Sequence, residues 1–357
     1  MADTTLRDEL QTFQVTSGNP VLMRVKRSDG LGGIYETLHS GSSVAPSTMP
    51  DLTLMRRTDL IQAANGKLIE PIDLSGLAVT DLFGSGLALG QINGEQYGVP
   101  YALEIQHAAY HSSNISTAPR QLDDLLQTKQ VFLFPAGVNN KGVNTTLLAQ
   151  YLAAGGRVTD GTAPVLDAEP LEKVLAYYQR AMAVKLAGSQ LLDYTNPQQY
   201  WPLLVGGKAS IGQVSSTLYL AQRAETPELA PAPLPMPLDN LVVPVDSWLW
   251  VVTTTNAERQ SQALSLLAWM LEPDRQGRFS KALGVLPSRR SAFTAWGDDA
   301  YVDFVTSLLD LPSVPPPDTI NPDVAQALQH ALEEVLNAGK TASDAATEAA
   351  SRVAGKK

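Results

Sequence analysis

The stretch that most limits the fold of this chain runs over residues 92–111, INGEQYGVPYALEIQHAAYH. Asn93-Gly94 lies between two short runs of alternating apolar residues, and an Asn-Gly pair is the strongest local hairpin signal because both positions tolerate positive φ. The second run reaches Gly98-Val99-Pro100. Pro100 has no N–H to give to a sheet ladder, so it is expected at an edge or an exit. Beyond it, residues 101–111 mix aromatic, acidic, amide and imidazole side chains with small apolar ones. That mixture is odd for plain core and suits a segment lining a cleft.

Elsewhere, helix and strand signals alternate. Thr4 or Thr5 caps a helix with Leu6, Leu10 and Phe13 on one face, ended by Gly18-Asn19-Pro20. Residues 21–25 read as a strand, and residues 30–33 open a helix over 34–39. A Ser/Pro-rich loop leads to Pro50, residues 51–55 form a short strand, and Thr58 caps a helix that Gly66 stops. This βαβα order predicts a parallel sheet covered by helices. Residues 74–89 are helical in pattern but broken by Gly84 and Gly86. With Gly90 they imitate a phosphate loop, yet the third glycine is one position late and no strand precedes them.

Helices are predicted over 119–128, 147–154, 171–185, 197–205, 257–270 and 273–283, with strands at 131–134 and 241–254. Residues 206–212, GGKASIG, turn into a strand; Pro202 stands where a phosphate loop needs its first glycine. Prolines at 227, 231, 233, 235 and 237 predict an extended surface run with polyproline character. Residues 312–317 read as a rigid linker. Asn321 caps a helix with Val324, Leu328, Leu332 and Leu336 on one face, and Thr341 with Asp344 starts the last, alanine-rich helix.

Composition narrows the function classes. A chain of 357 residues can bury a large core and suggests two domains. Its net charge of -10 argues against nucleic acid and anionic membrane surfaces, both of which need basic patches. The chain has no Cys, which excludes disulfides, Cys-based zinc sites and a thiol nucleophile. No run is long and apolar enough to span a bilayer. No basic start with an apolar leader stretch is present either, and Met1-Ala2-Asp3 runs straight into a helix, as in a chain whose leader has been removed.

Several stretches, in this order along the chain, resemble the extracellular solute-binding proteins of ATP-binding-cassette importers, the maltodextrin-binding-like group in particular. They are MPDLTLM and DLIQAANGKLIEPID within residues 49–73, NGEQYGVPY at 93–101, the GGKASIG segment, LVVPVDSWLWVVTT at 241–254, GVLPSRRS at 284–291, and the closing LQHALEEVLNAGKTASDAATEAASRV. The resemblance implies an α/β, two-lobed periplasmic-binding-protein type II fold, each lobe a mostly parallel sheet flanked by helices. It implies a first lobe of residues 1–103 plus 246–293 and a second of 107–242 plus 298–357, with hinges near 103–107, 243–247 and 290–298. Such proteins normally begin with a strand ahead of the first helix. None is visible here, so either another segment fills that slot or the first lobe is weaker.

What the resemblance implies about function is capture of a small solute, a mono- or oligosaccharide, and its delivery by a monomer to permease subunits in the membrane, with hinge closure as the mechanism. The location would be periplasmic or extracellular, with a membrane tether in the precursor left open. The positions the family uses for ligand hold Met55 and Arg56, Tyr101 and Glu104, Ser215, Ser216 and Thr217, and Asp246 and Trp248. The aromatic usual near Ser216 is missing, and Tyr219 is the nearest substitute. Alternation would aim Asp246 and Trp248 to one side of their strand and Ser247 and Leu249 to the other. Trp250, Trp269 and Trp201 read as packing residues.

A catalytic reading has little to stand on. His107 and His111, with Glu104 nearby, would pair on zinc only if helical, and a hinge segment is expected there. The acidic pairs Asp123-Asp124 and Asp298-Asp299 would suit a glycosidase if they faced each other across a bond, but neighbouring acids at helix starts and in loops are normally solvated. No metal and no cofactor is expected. The alternatives are a sensor or other binding module on the same fold, or a carbohydrate-active enzyme.

Overall fold

The computed structural model describes residues 2–28, 30, 32–44, 48–139 and 142–355. The expected helix opening at 30–33, the Ser/Pro-rich loop and the start at Met1 each include positions outside these residues. The chain begins with helix α1 (Ala2–Ser17), which buries Leu10 and Phe13 on one face. Helix α2 (Ile34–Val44), strand β1 (Leu52–Met55) and helix α3 (Arg57–Asn65) follow. Two single-turn 3-10 helices replace the first part of the helix expected over 74–89, leaving α4 (Gly84–Leu89). Asn93 and Gly94 take φ of 51° and 87° and close the hairpin of β2 (Gln91–Ile92) and β3 (Glu95–Gln96).

Strand β4 (Gly98–His111) is followed by α5 (Leu122–Gln127), β5 (Phe132–Leu133), α6 (Thr145–Ala153) and a hairpin of β6 (Thr159–Asp160) and β7 (Ala163–Pro164). Then come α7 (Ala168–Ala183), α8 (Trp201–Val205), β8 (Ile211–Ser215), α9 (Ser216–Gln222), β9 (Leu229–Ala232) and β10 (Val243–Val252). The chain closes with α10 (Ala257–Met270), α11 (Pro273–Leu283), β11 (Leu286–Pro287), α12 (Ala300–Leu309), β12 (Ser313–Val314), α13 (Pro322–Ala338) and α14 (Ala342–Ala354).

These elements divide into two units, Met1–Glu104 with Asp246–Asp310, and Ile105–Val245 with Leu311–Lys357. The chain passes from one to the other inside β4, inside β10 and just after α12. The last passage lies beyond the 290–298 segment expected to hold it. Residues 290–296 form a 3-10 helix of the first unit instead, held there by buried Phe293 and Trp296 and by the Trp296 indole N–H donating to Ser280 Oγ at 3.1 Å.

In the first unit β1 runs antiparallel to β10, from Leu52 opposite Val252 to Met55 opposite Leu249. Leu103 and Ala102 of β4 pair with β11. The core gathers Leu10, Ile72, Val99, Tyr101, Trp250, Leu267, Met270 and Phe279. Helix α1 joins it through Phe13, edge-on to Trp269 at 5.4 Å. Residues 21–25 form no strand, contrary to their pattern. Val21 and Met23 rest on the core while Leu22 and Val25 are exposed, so the alternation is present without a ladder. Among the described residues no strand pairs with the other edge of β1.

In the second unit β4 pairs antiparallel with β8 (Gln106 opposite Ser215, Tyr110 opposite Ile211) and with β9 on its other side. Strand β5 lies parallel to β8, and β12 parallel to the first residues of β10. Helices α7, α13 and α14 pack together over buried Leu171, Leu175, Leu328, Leu332 and Ala345.

The two-unit α/β architecture stands, but most recorded strand pairs are antiparallel, not parallel. Local βα alternation predicts parallel neighbours only when consecutive strands are adjacent, and here β1 pairs with β10 and β4 with β8. Pro100 is also no exit: it lies within β4, where its carbonyl accepts from Ser288 Oγ at 2.6 Å. Part of the proline-rich run is the paired strand β9, with Leu229 and Ala232 buried, in place of a solvated polyproline segment.

Candidate functional site

Asp246 and Trp248 stand on one side of β10, half-buried, while Ser247 and Leu249 are buried on the other. One step beyond the Met55–Leu249 pair, the chain of β1 reaches Arg56, opposite Trp248. Arg56 has extended backbone, φ -80° and ψ 161°, and its side chain makes no cap bond to α3. It turns to β10 instead. Arg56 Nη1 donates to Asp246 Oδ2 at 3.1 Å, and the guanidinium carbon lies 5.1 Å from the centroid of the Trp248 ring. A flat aromatic face, a carboxylate and a guanidinium are therefore brought together at one partly exposed place. An indole face can stack on an apolar ring face, and the charged pair can exchange hydrogen bonds with hydroxyls.

The neighbouring arginine does a different job. Arg57 Nη1 donates to the carbonyls of Leu89 and, at 2.9 Å, Gln91, and burial lowers its pKa. It ties α3 to the end of α4, so the backbone under Arg56 is fixed from the other side.

Three further sequence-predicted ligand residues are placed in the first unit. Met55 is buried at the end of β1. Tyr101 is 3% exposed, with its ring 5.0 Å from that of Phe279 and 5.9 Å from that of Trp250, and burial raises its pKa. Both are packing residues, a correction to their reading as ligand contacts: the alternation that faces Tyr101 and Leu103 inward comes from β4 lying between other elements. Glu104, half-buried, is the last residue of the first unit.

The second unit holds the other four. Ser215 caps α9, its Oγ accepting from Leu218 N at 3.1 Å. Ser216 is buried, its Oγ accepting from Ile105 N at 3.1 Å. Tyr219 is buried, donating to the Leu229 carbonyl at 3.1 Å, so it replaces no missing stacking residue. Only Thr217 and Ser215 of this group are half-exposed. Ser216 and Tyr219 are corrected to structural roles because their polar atoms are used by backbone.

His107 and His111 lie on strand β4, where four residues span roughly 13 Å, so they do not form a zinc pair. His107 is fully buried with its ring 5.3 Å from that of Tyr219. Its Nδ1 donates to the Ala108 carbonyl at 2.8 Å, since a carbonyl only accepts, and burial pushes its pKa down to about 4. His111 Nδ1 meets Ser113 Oγ at 2.8 Å. Among the described residues no group of His, Asp and Glu is arranged to hold a metal ion.

Sequence reading missed a polar chain in the second unit. Gln213 of β8 donates to Gln106 Oε1 of β4 at 3.0 Å and accepts from Thr146 in the first turn of α6. Three polar side chains on a strand pair and a helix start look unrelated in sequence; only the β4–β8 register joins them. Gln106 is its half-exposed end.

A family model for bacterial extracellular solute-binding proteins matches residues 36–303, well over half of the chain. No curated protein sequence matches significantly. Among solved structures, the sugar-binding protein MalE from Xanthomonas citri superposes with a TM-score of 0.80 at 17% identity, covering 99% of this chain and 94% of that one. The cyclic alpha-maltosyl-1,6-maltose binding protein from Arthrobacter globiformis gives 0.76 at 20% identity, covering 99% and 95%. UgpB from Mycobacterium tuberculosis, solved with glycerophosphocholine, gives 0.72 at 17% identity, covering 98% and 94%. At these identities the structures speak for the fold, and no described helix is long and apolar enough to cross a membrane. Through the match over residues 36–303, the chain belongs to the family of bacterial extracellular solute-binding proteins.

Proposed function

We propose that this protein captures a mono- or oligosaccharide outside the cytoplasm and delivers it to the permease of an ATP-binding-cassette importer, acting as a monomeric binding protein and not as an enzyme. The observation that carries the reading is the Arg56–Asp246–Trp248 cluster. Its Trp248 and Asp246 supply what a sugar asks of a protein: a flat apolar face for the ring and a carboxylate that accepts from hydroxyls. Two of the similar structures are described as a sugar-binding and a maltosyl-maltose-binding protein, which supports the same ligand class. Glu104, a partly exposed acidic group of the same unit at its strand crossing, is proposed to add hydrogen bonds.

The crossings at Glu104–Ile105, Val245–Asp246 and Asp310–Leu311 are the proposed hinges. A net charge of -10 disfavours nucleic acid as partner. The test is a thermal-shift screen against neutral mono- and oligosaccharides, with amines and phosphodiesters as other classes. A ligand that binds only the folded state raises the melting point, and the reading predicts that neutral sugars do so. A rise with the other classes alone contradicts it.

A further inference from the structure

The ring face that the proposed site needs already has an occupant from the chain itself. Arg56 reaches both recognition groups at once, its guanidinium over the Trp248 ring at 5.1 Å and its Nη1 on Asp246 at 3.1 Å. A solute that stacks on this indole and donates hydroxyl protons to this carboxylate competes with Arg56 for the same two partners.

Arg56 is built to be displaced. Its side chain and that of Asp246 are 54% and 27% exposed, and exposed ion pairs and exposed cation–π contacts each contribute little. Its side chain does not cap α3, so the helix does not depend on it. Asn65 and Gly66 end that helix independently, and Arg57, bonded to the carbonyls of Leu89 and Gln91, holds the backbone in place while Arg56 moves.

We propose that Arg56 is an internal competitor for the Trp248 face, a removable stand-in that sets the threshold a ligand must exceed. The inference rests on the binding reading above and deepens it. The ligands selected are uncharged solutes with both a flat apolar ring face and hydroxyl donors, since only those replace the stacking and the carboxylate contact together. A solute offering only one of the two leaves Arg56 in place.

Two experiments on the full chain test this. The first needs no ligand: acrylamide quenching of tryptophan fluorescence in wild type and Arg56→Ala, each with and without Trp248→Phe. The Arg56→Ala change uncovers Trp248, so it raises quenching, and the rise vanishes in the Trp248→Phe background. Equal quenching with and without Arg56 overturns the proposal. The second is a titration with maltose. Arg56→Ala tightens binding roughly three- to tenfold, the scale of one weak ion pair plus one weak cation–π contact. Added KCl tightens the wild type toward the variant, because screening loosens the Arg56–Asp246 pair while a neutral sugar is indifferent to salt. Weaker binding by Arg56→Ala overturns the proposal and makes Arg56 a direct ligand contact. If maltose binds neither form, the titration is run with the sugar that most raises the melting point, and the same two outcomes decide; if no sugar binds either form, it is the binding reading that fails, and the proposal with it.

Discussion

His107 makes acid stability of this protein a measurable quantity. The imidazole is fully buried against Tyr219, and burial lowers its pKa from 6.5 to about 4. The folded state therefore keeps His107 neutral where the unfolded chain takes up a proton. Because the unfolded state binds more protons, stability rises with pH across this window and falls on acidification. The contribution is fully present above about pH 6.5 and lost progressively toward pH 4. A shift of that size corresponds to roughly 3 kcal/mol, taking about 1.4 kcal/mol for each pH unit. Carboxylates titrate at the lower end of the same window, so the measurement is a difference. Urea melts of wild type and His107→Phe are compared from pH 7.5 to 4. Phenylalanine keeps the ring against Tyr219, loses the bond to the Ala108 carbonyl, and does not titrate. It is expected to be slightly less stable at neutral pH and to gain on the wild type as pH falls, with the curves crossing or converging. Parallel curves would show that His107 is protonated without penalty and refute the reasoning.

Tyr101→Ala empties a core position between Phe279 and Trp250 and should cost about 3–5 kcal/mol in denaturant unfolding, while near-native stability would return Tyr101 to the list of ligand contacts. Phe13→Ala removes the edge contact with Trp269 and should lower stability by about 3 kcal/mol; an unchanged melt would mean that α1 adds nothing to the first unit. Gln213→Leu removes the bonds to Thr146 and Gln106 and should cost about 1–3 kcal/mol, read by the same melts, with no loss refuting the network.

Signals carried by neighbouring residues were legible in the sequence. Asn93-Gly94 dictates its hairpin because the turn geometry is local, and the alternation through residues 246–249 separates Asp246 and Trp248 from Ser247 and Leu249 as the structure does. Asn321 caps α13 with its own side chain, again a local matter. What depends on distant partners was not legible. Residues 21–25 have a strand's pattern but no described strand beside them. Tyr101 carries a polar tip suited to a ligand, yet Phe279 and Trp250 enclose it, and nothing near Tyr101 in sequence announces them. The direction of sheet neighbours likewise follows from which remote strands meet. Arg56 itself was legible as a candidate, but its place over Trp248 follows only from the β1–β10 register.

Sugar binding through Trp248 is what the proposed function stands on. Calorimetric titration of wild type and Trp248→Ala with the sugar that most raises the melting point, together with melting curves of both, tests it directly. The expected result is an affinity loss of roughly 2–4 kcal/mol, as for a buried aromatic anchor, with the melting point nearly unchanged, because Trp248 is only half-buried and its face is shared with Arg56. A large fall in melting point with unchanged affinity in the folded fraction would contradict it.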